Sequence, residues 1–299
     1  MDMISHEGQM RFDSHHNTED SVREGNIRAT LARGYVRFNE LMNTATGGTV
    51  SIVGSGPSLA RTYKDIVGDI MTCNSAHDFL ISKGIIPKYA MFWDANPIIA
   101  KFAQNPHPDV TYLVASRCHP DLFNALAGHR IIVFHALGGE PVEESLVSLN
   151  LMEPMVAGGS AGVTRATHLA GAMGYTEQHL FGVDSSYEED ATHVQESVID
   201  QRKMRLRVCG KWFITAPWMA LQVFDFKILG PHLQQMGVKL IVHGTGMFPY
   251  AASFLKGIET PDIHVGIAEK IKRAIHGAIV LFLEVKKSPQ LLGGSNAGV

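Results

Sequence analysis

The sequence has few cysteines, and they are not paired. Cys73, Cys118 and Cys209 are scattered along the chain with no CxxC spacing. This pattern indicates neither a disulfide framework nor a cysteine-rich zinc site. A reducing, cytoplasmic compartment is the setting that such cysteine usage favours.

Long apolar runs are also missing. The longest, residues 278–283, is far shorter than the roughly 20 residues that a membrane-spanning helix needs. The first 24 residues hold no apolar core of the kind found in a cleaved signal peptide. We therefore expect no membrane span and no export by this route.

Charge of one sign is not in excess, since 26 basic and 29 acidic residues give a formal net charge of −3. The chain as a whole has no electrostatic drive toward DNA or an anionic surface, and nucleic acid is not expected as a partner. The hydrophobic share of 45% is enough for a folded core.

Short apolar runs alternate with helix-length segments, which predicts an α/β, Rossmann-like three-layer sandwich with a mostly parallel sheet. We divide the chain into a mobile N-terminal arm (1–21), a nucleotide-binding transferase domain (22–250), a C-terminal helical segment (251–290) and a flexible tail (291–299). The predicted strands are 50–53, 70–73, 89–93, 111–115, 130–134, 178–183 and 239–243. The predicted helices are 22–42, 58–67, 75–83, 97–104, 120–127, 160–173 and 216–236, with one or two more in 267–285, and HGTGMFPYAA is interpreted as a loop.

A glycine-rich turn follows the first strand of this pattern, in TVSIVGSGPSLA. Gly54 and Gly56 permit a tight turn, and Pro57 suits a first helical turn. Together with Ser55 and Ser58, they predict a helix start whose N–H groups bind a nucleotide phosphate. Leu59 replaces the third glycine of GxGxxG and no GK[ST] follows, so neither common nucleotide fingerprint is present. A purely structural turn is the alternative.

Two polar residues follow the next strands. Asn74, in TCNSAH, offers a donor and an acceptor to a base or ribose, and the alternative is a helix N-cap. Asp94, after YAMFW, is a candidate for binding a hydroxyl or a metal ion, or for capping the helix entered through Asn96 and Pro97.

A second glycine-rich helix start lies at residues 158–160 and precedes a helix of small residues. The N–H groups of Gly159 and Ser160 form a second candidate phosphate site, while a packing role for the glycines is the alternative. Two such starts in one domain suit a diphosphate-containing ligand.

Asp184, at the end of the strand GVD, and His193, nine residues later, are the candidate catalytic residues. His193 is the preferred general base because an unperturbed imidazole titrates near neutrality. The basic run RKMRLR (202–207) is interpreted as a solvated face, with anion binding as the alternative. No HExxH or HxH spacing indicates a zinc site, and no GxSxG elbow appears.

The assembled motifs VGSGPSL, CN, GIIPKYAMFWDANP, GGSAG, GYTEQHLFGVDSSY and THV resemble those of the 6-hydroxymethylpterin diphosphokinase MptE-like superfamily. That group includes the motility-associated factor (Maf) flagellin glycosyltransferases, and it shares motif order with bacterial sialyltransferases. The resemblance covers roughly residues 22–250.

The resemblance implies a nucleotide-sugar-dependent glycosyltransferase, with a CMP-nonulosonate as one donor and a small molecule or glycan as hydroxyl acceptor. The resemblance assigns donor binding to Gly54, Ser55, Gly56, Ser58, Asn74, Gly159 and Ser160, and deprotonation of the acceptor to His193. This reading requires no metal or other cofactor.

Two alternatives remain open. In the first, the chain is a diphosphokinase that uses ATP and Mg²⁺, with Asp94 and Asp184 as metal ligands. FWDANP, however, has one carboxylate where diphosphokinase members tend to have an acidic cluster. The second alternative is a nucleotide-binding module without catalysis.

Overall fold

The computed structural model describes residues 5–6, 9–10, 18–137, 153–188, 203–264, 266 and 285–286. The helices are α1 (Asp20–Leu31), α2 (Leu59–Thr62), α3 (Ala76–Ser82), α4 (Pro120–Ala125), α5 (Gly162–Met173), α6 (Pro217–Gln235) and α7 (Met247–Ala252). The described part of the chain also has 3₁₀ turns at Phe38–Leu41, Tyr63–Asp65 and Pro97–Phe102.

Within the described residues, the strands form three sheets. The largest contains β3 (Val36–Arg37), β4 (Thr49–Val53), β5 (Asp69–Cys73), β6 (Tyr89–Phe92), β7 (Thr111–Ala115), β8 (Arg130–Ala136), β9 (Met155–Val156), β10 (Glu177–Phe181) and β13 (Lys239–Val242). A two-stranded sheet pairs β1 (Ser5–His6) with β2 (Gln9–Met10), and a three-stranded sheet contains β11 (Met204–Val208), β12 (Lys211–Thr215) and β14 (Val285–Lys286).

Every strand pair of the nine-stranded sheet is parallel, in the order β13-β10-β4-β5-β6-β7-β8-β3, with β9 also pairing with β8. The predicted α/β fold and parallel sheet are confirmed. The apolar runs made the seven long strands predictable, because strands covered on both faces bury nearly every side chain.

Helices cover both faces of this sheet. Val50 and Ile52 belong to the core that includes α5, whereas Val53 packs with α2 and α3 on the opposite face. Successive side chains of a strand point to opposite faces, so one apolar strand supplies two cores. The outcome is the predicted three-layer sandwich.

Two element predictions are wrong. The predicted helix 22–42 ends at Leu31, because Gly34 takes a positive φ of 66° and the chain then enters β3. The segment interpreted as the loop HGTGMFPYAA contains α7, which begins after Gly246. The predicted helices of 267–285 lie outside the described residues except for Val285, which is in β14.

Candidate functional site

The side of the sheet to which the chain adds strands changes between β4 and β10. From β4 the chain adds β5, β6, β7 and β8 on one side, and it later returns to place β10 and β13 on the other. In open parallel sheets, ligands bind at the carboxyl ends of the strands at such a switch point. The glycine-rich turn 54–58 leaves β4 there, and the segment 182–186 leaves β10 beside it.

Backbone hydrogen bonds join the two segments. Gly54 N–H donates to the Phe181 carbonyl at 2.8 Å, and Gly56 N–H donates to the Gly182 carbonyl at 2.7 Å. A Cβ added to Gly54 would lie 2.6 Å from the Gly182 oxygen. Gly54 and Gly56 were predicted to leave room for a phosphate, and in the structure they leave room for the backbone at the end of β10.

Asp184 fills the start of the first glycine-rich helix. Its Oδ2 accepts a hydrogen bond from Ser58 N–H at 2.9 Å, and the residue is only 5% exposed. Burial raises the pKa of this carboxyl, while the Ser58 N–H acts in the opposite direction. The predicted anion site thus holds a carboxylate of the chain itself.

A third segment encloses Asp184 from β13. Gly244 and Gly246 approach so closely that added Cβ atoms would lie 2.6 Å from Ser58 Oγ and 2.5 Å from the Asp184 carbonyl oxygen, respectively. Phe248 N–H also donates to the Asp184 carbonyl at 2.9 Å. These residues were not predicted, although the GTG after β13 repeats the GxG pattern of the first turn.

Asn74 follows β5, the strand next to β4, in a left-handed conformation with φ of 50°. Its N–H donates to the Met91 carbonyl and its carbonyl accepts from His77 N–H, so the backbone fixes its place. The side-chain Oδ1 is buried and has no hydrogen-bond partner. A buried acceptor without a partner is costly, and a donor on a bound ligand would remove that cost.

Asp94 has a local structural contact. Its Oδ1 accepts from Asn96 N–H at 3.0 Å, and the Asn96 side chain in turn caps the 3₁₀ turn at Ile98 N–H. The capping residue is therefore Asn96, while Asp94 shapes the turn before it. Asp94 remains partly exposed, so its second oxygen is compatible with ligand binding.

The second glycine segment also binds a carboxylate of the chain. Asp225, on α6, accepts hydrogen bonds from Ser160 N–H at 2.6 Å and from Ser160 Oγ at 2.5 Å. A Cβ on Gly159 would lie 2.5 Å from Asp225 Oδ2. No local pattern predicted this contact, because Asp225 lies 65 residues from Ser160, on the predicted helix 216–236.

Arg165, on α5, fixes the same segment from the inside. Its guanidinium donates to the carbonyls of Val156, Leu137 (3.3 Å) and Gly159 (3.0 Å), although the residue is only 1% exposed. The ring of Trp93, at the end of β6, lies 4.7 Å from the guanidinium carbon. Arg165 was also not predicted.

The two glycine-rich segments share one edge of the molecule. A Cβ added to Gly54 would lie 2.9 Å from Val163 Cγ2 in the first turn of α5, and a Cβ on Gly162 would lie 3.4 Å from the Trp93 ring. The edge therefore brings together the first turn, the end of β6 and the start of α5. His193, the predicted base, lies outside the described residues.

The described residues contain no group of three or more His, Cys, Asp or Glu side chains that could hold a metal ion. Within the same part of the chain, no helix is long and apolar enough to cross a membrane.

The family model of 6-hydroxymethylpterin diphosphokinase MptE-like proteins matches residues 26–190, which is more than half of the chain. The chain belongs to this family. The matched range carries all of the predicted nucleotide-binding residues and ends two residues after residue 188, the last described residue of the segment that follows β10. No curated protein matches this MptE-like chain.

Among solved structures, the chain is similar to a Maf glycosyltransferase from Magnetospirillum magneticum AMB-1, with a TM-score of 0.59 and 18% sequence identity. The match covers 86% of this chain and 41% of that protein. At this identity the likeness shows a common fold. The MptE-like chain therefore spans about two fifths of the solved protein.

Proposed function

We propose that this MptE-like protein is a glycosyltransferase that transfers a sugar from a nucleotide donor to a hydroxyl acceptor. A CMP-nonulosonate is the first donor to test, and a small molecule or a glycan is the acceptor class. The fold shared with a Maf glycosyltransferase supports this proposal. The observation that carries it is the unpartnered Oδ1 of Asn74 at the carboxyl edge of the sheet.

The position of Asn74 suits a nucleoside. Its strand, β5, lies beside β4 at the switch point, so a base or ribose held there has its phosphate on the same edge as the two glycine-rich segments. A hydroxyl or amino group of the nucleoside would donate to the buried oxygen. The amide nitrogen of the same side chain supplies a donor in return.

In the proposed reaction, the bond between the anomeric carbon and the donor phosphate breaks, and the acceptor oxygen forms a new bond to that carbon. The nucleotide leaves with the bonding electron pair, and the acceptor proton passes to His193. A positioned general base contributes roughly 10²–10⁴-fold to the rate of such a step. Asp184 is enclosed by three segments, so we give it the role of positioning the first glycine turn.

Nucleotide binding tests the proposal directly. We expect CMP to raise the melting temperature without Mg²⁺, because a ligand that binds only the folded state stabilises it by mass action. Asn74→Gly keeps the left-handed backbone accessible and removes the side chain. It is expected to weaken CMP binding about tenfold in calorimetry, the effect of one lost hydrogen bond.

Asn43→Gly is the matched control, because Asn43 is also left-handed, with φ of 58°, but precedes β4 at the opposite edge. It should leave CMP affinity unchanged. Equal affinities in wild type and Asn74→Gly would remove the observation on which the proposal rests. Unchanged donor turnover in His193→Ala would favour a nucleotide-binding module without catalysis.

The family match favours a second candidate, a diphosphokinase that moves a pyrophosphoryl group from ATP to a pterin-like alcohol. Mg²⁺ would then be held by substrate phosphates with Asp94 and Asp184, of which only Asp94 is partly exposed. One or two carboxylates suffice for Mg²⁺ when phosphates supply other ligands. Stabilisation by ATP only with Mg²⁺, and none by CMP, would replace the first proposal with this one.

A further inference from the structure

A hairpin formed by β11 and β12 carries an exposed face that the proposed transfer reaction does not use. The strands pair antiparallel with Arg205 opposite Ile214 and Arg207 opposite Trp212, so these four side chains share one face. The opposite face, with Leu206, Val208 and Phe213, is buried in the core. The hairpin is therefore anchored by its inner face, while on the outer face Arg205, Arg207 and Ile214 are exposed and Trp212 is half-buried.

This face combines positive charge with apolar groups. Arg205 and Arg207 are exposed, and their guanidinium carbons lie 5.3 Å and 5.8 Å from the centre of the Trp212 ring. Ile214 is 44% exposed beside them. Residues 203–224 include two further cations, Lys203 and Lys211, and no carboxylate, although the whole chain has a net charge of −3.

We infer that the outer face of the β11–β12 hairpin, defined by Arg205, Arg207, Trp212 and Ile214, docks the protein onto an anionic lipid surface. Arginines attract anionic headgroups, while tryptophan and an exposed aliphatic side chain suit the boundary between headgroups and acyl chains. A membrane surface offers partners to both kinds of side chain at once.

A soluble polyanion fits this face less well. A nucleic acid would satisfy the arginines and stack on Trp212, but it offers no apolar environment to Ile214. The acidic remainder of the chain would also oppose a polyanion that wraps around the protein. A bilayer contacts one face only, and charges beyond about 8 Å are largely screened from it at physiological salt.

Docking through this hairpin would bring the candidate site close to the lipid surface. Tyr187 N–H donates to the Ile214 carbonyl at 2.8 Å, and Thr215 Oγ1 donates to the Ser185 carbonyl at 2.8 Å. The hairpin is thus joined to the segment that directly follows Asp184. The inference concerns a separate surface, so it stands or falls independently of the proposed donor.

Flotation of the full chain with lipid vesicles tests the inference. We expect binding to vesicles of equal parts phosphatidylcholine and phosphatidylglycerol, no binding to phosphatidylcholine alone, and loss of binding at high salt. The double variant Arg205→Gln/Arg207→Gln is expected to lower the partition coefficient about 30-fold, the effect of two cations at an anionic surface. Ile214→Ser is expected to lower it about tenfold through lost apolar contact.

Matched control variants distinguish docking through the hairpin from general effects of lost charge or lost stability. Arg33→Gln/Lys64→Gln removes two exposed cations that also lie over aromatic rings, at Phe123 and Tyr63, and Ile228→Ser removes an aliphatic side chain that is 74% exposed. Both should bind vesicles like the wild type, and every variant should retain the wild-type melting temperature.

Absence of vesicle binding by the wild type would overturn the inference, as would equal binding by the hairpin variants and the wild type. Retention of a single-stranded oligonucleotide through the same arginines, with no binding to anionic vesicles, would overturn it in favour of a nucleic-acid surface.

Discussion

The missing side chain of Gly56 determines how closely the first glycine turn packs on Asp184. An added Cβ would lie 2.4 Å from Asp184 Oδ2 and 2.7 Å from the Gly182 carbonyl oxygen. We expect Gly56→Ala to lower the free energy of unfolding by about 1–3 kcal/mol, as overpacked sites do. Urea denaturation measures this effect.

Gly25→Ala is the control for that substitution. Gly25 lies inside α1, and an added Cβ would contact nothing within 4 Å. It should raise stability by roughly 0.5–1 kcal/mol, since alanine is the better helix former. Equal stabilities of Gly56→Ala and wild type would show that the turn can move away from Asp184.

The carboxyl of Asp184 gives a pH prediction at the same scale. Burial raises its pKa above the ordinary value of 3.8, so the folded state binds more protons than the unfolded state between the two pKa values. Stability contributed by this group is lost as the pH rises through that window. Asp184→Asn has the same shape and no charge.

We therefore expect the stability of Asp184→Asn, measured relative to the wild type, to be greater at pH 7 than at pH 4. Urea denaturation of both proteins at the two pH values gives the comparison. A difference that is constant with pH would show that the carboxyl has the same pKa in the folded and unfolded states.

At the scale of elements, Arg165 joins α5 to the chain before it. Its guanidinium donates to the carbonyls of residues 137, 156 and 159. Arg165→Met removes these hydrogen bonds, so we expect it to lower the free energy of unfolding by about 3 kcal/mol. It should also make the second glycine segment, residues 158–160, sensitive to limited proteolysis. Arg165→Lys restores one charge without the planar donor geometry, so it should recover only part of the loss. Unchanged proteolysis in Arg165→Met would contradict this role.

The contact between α6 and the second glycine segment makes a prediction for binding. A nucleotide phosphate at Ser160 N–H has to displace Asp225, whose charge repels it. Asp225→Asn should therefore raise nucleotide affinity at least about tenfold in calorimetry. Asp109→Asn, at an exposed carboxylate before β7, is the control and should have no effect. Unchanged affinity in Asp225→Asn would place the phosphate elsewhere.

Predictability differed sharply among the elements. The long parallel strands were recognised because they are continuous apolar runs. β11 and β12 were missed, since the alternating cations of MRLRV resemble a charged surface until the buried face of Leu206 and Val208 is seen. α7 was missed because Gly244, Gly246 and Pro249 indicate a loop, whereas Pro249 lies in its first turn, where the missing N–H does no harm.

The candidate site was predictable only in part. Glycines after β4 and before α5 are visible in the sequence, whereas the switch point depends on the strand order, which only the structure shows. The partners of those glycines are not visible, because Asp184 meets Ser58 across 126 residues and Asp225 meets Ser160 across 65. Contacts at such separations depend on the order of the strands and the path of α6, and local patterns do not contain this information.

For the whole molecule, one buried and two half-buried histidines contribute to the response to acid. Burial lowers the pKa of His135, His168 and His243 below the ordinary value of 6.5. The unfolded state then binds more protons than the folded state, so stability is present above pH 6.5 and is lost as the pH falls below it. His135 is the most enclosed, with Ser116 Oγ at 2.8 Å and Glu153 Oε2 at 2.9 Å from its two ring nitrogens.

We expect the free energy of unfolding to fall between pH 7 and pH 5, and His168→Gln to make that fall shallower. Urea denaturation across this range provides the test. The same slope in wild type and variant would exclude His168 as a source of acid sensitivity.

The position of β13 has a practical consequence for the expression of truncated forms of this protein. Residues 26–190 define the family match, yet β13 and its glycine pair, which seal Asp184 from solvent, come from residues 239–246. A fragment ending at residue 190 would lack β13, so β10 would become an unpaired edge strand and the Asp184 carboxyl would be exposed to water. We expect such a fragment to aggregate, so a shortened gene should encode β13 and residues 244–246 as well.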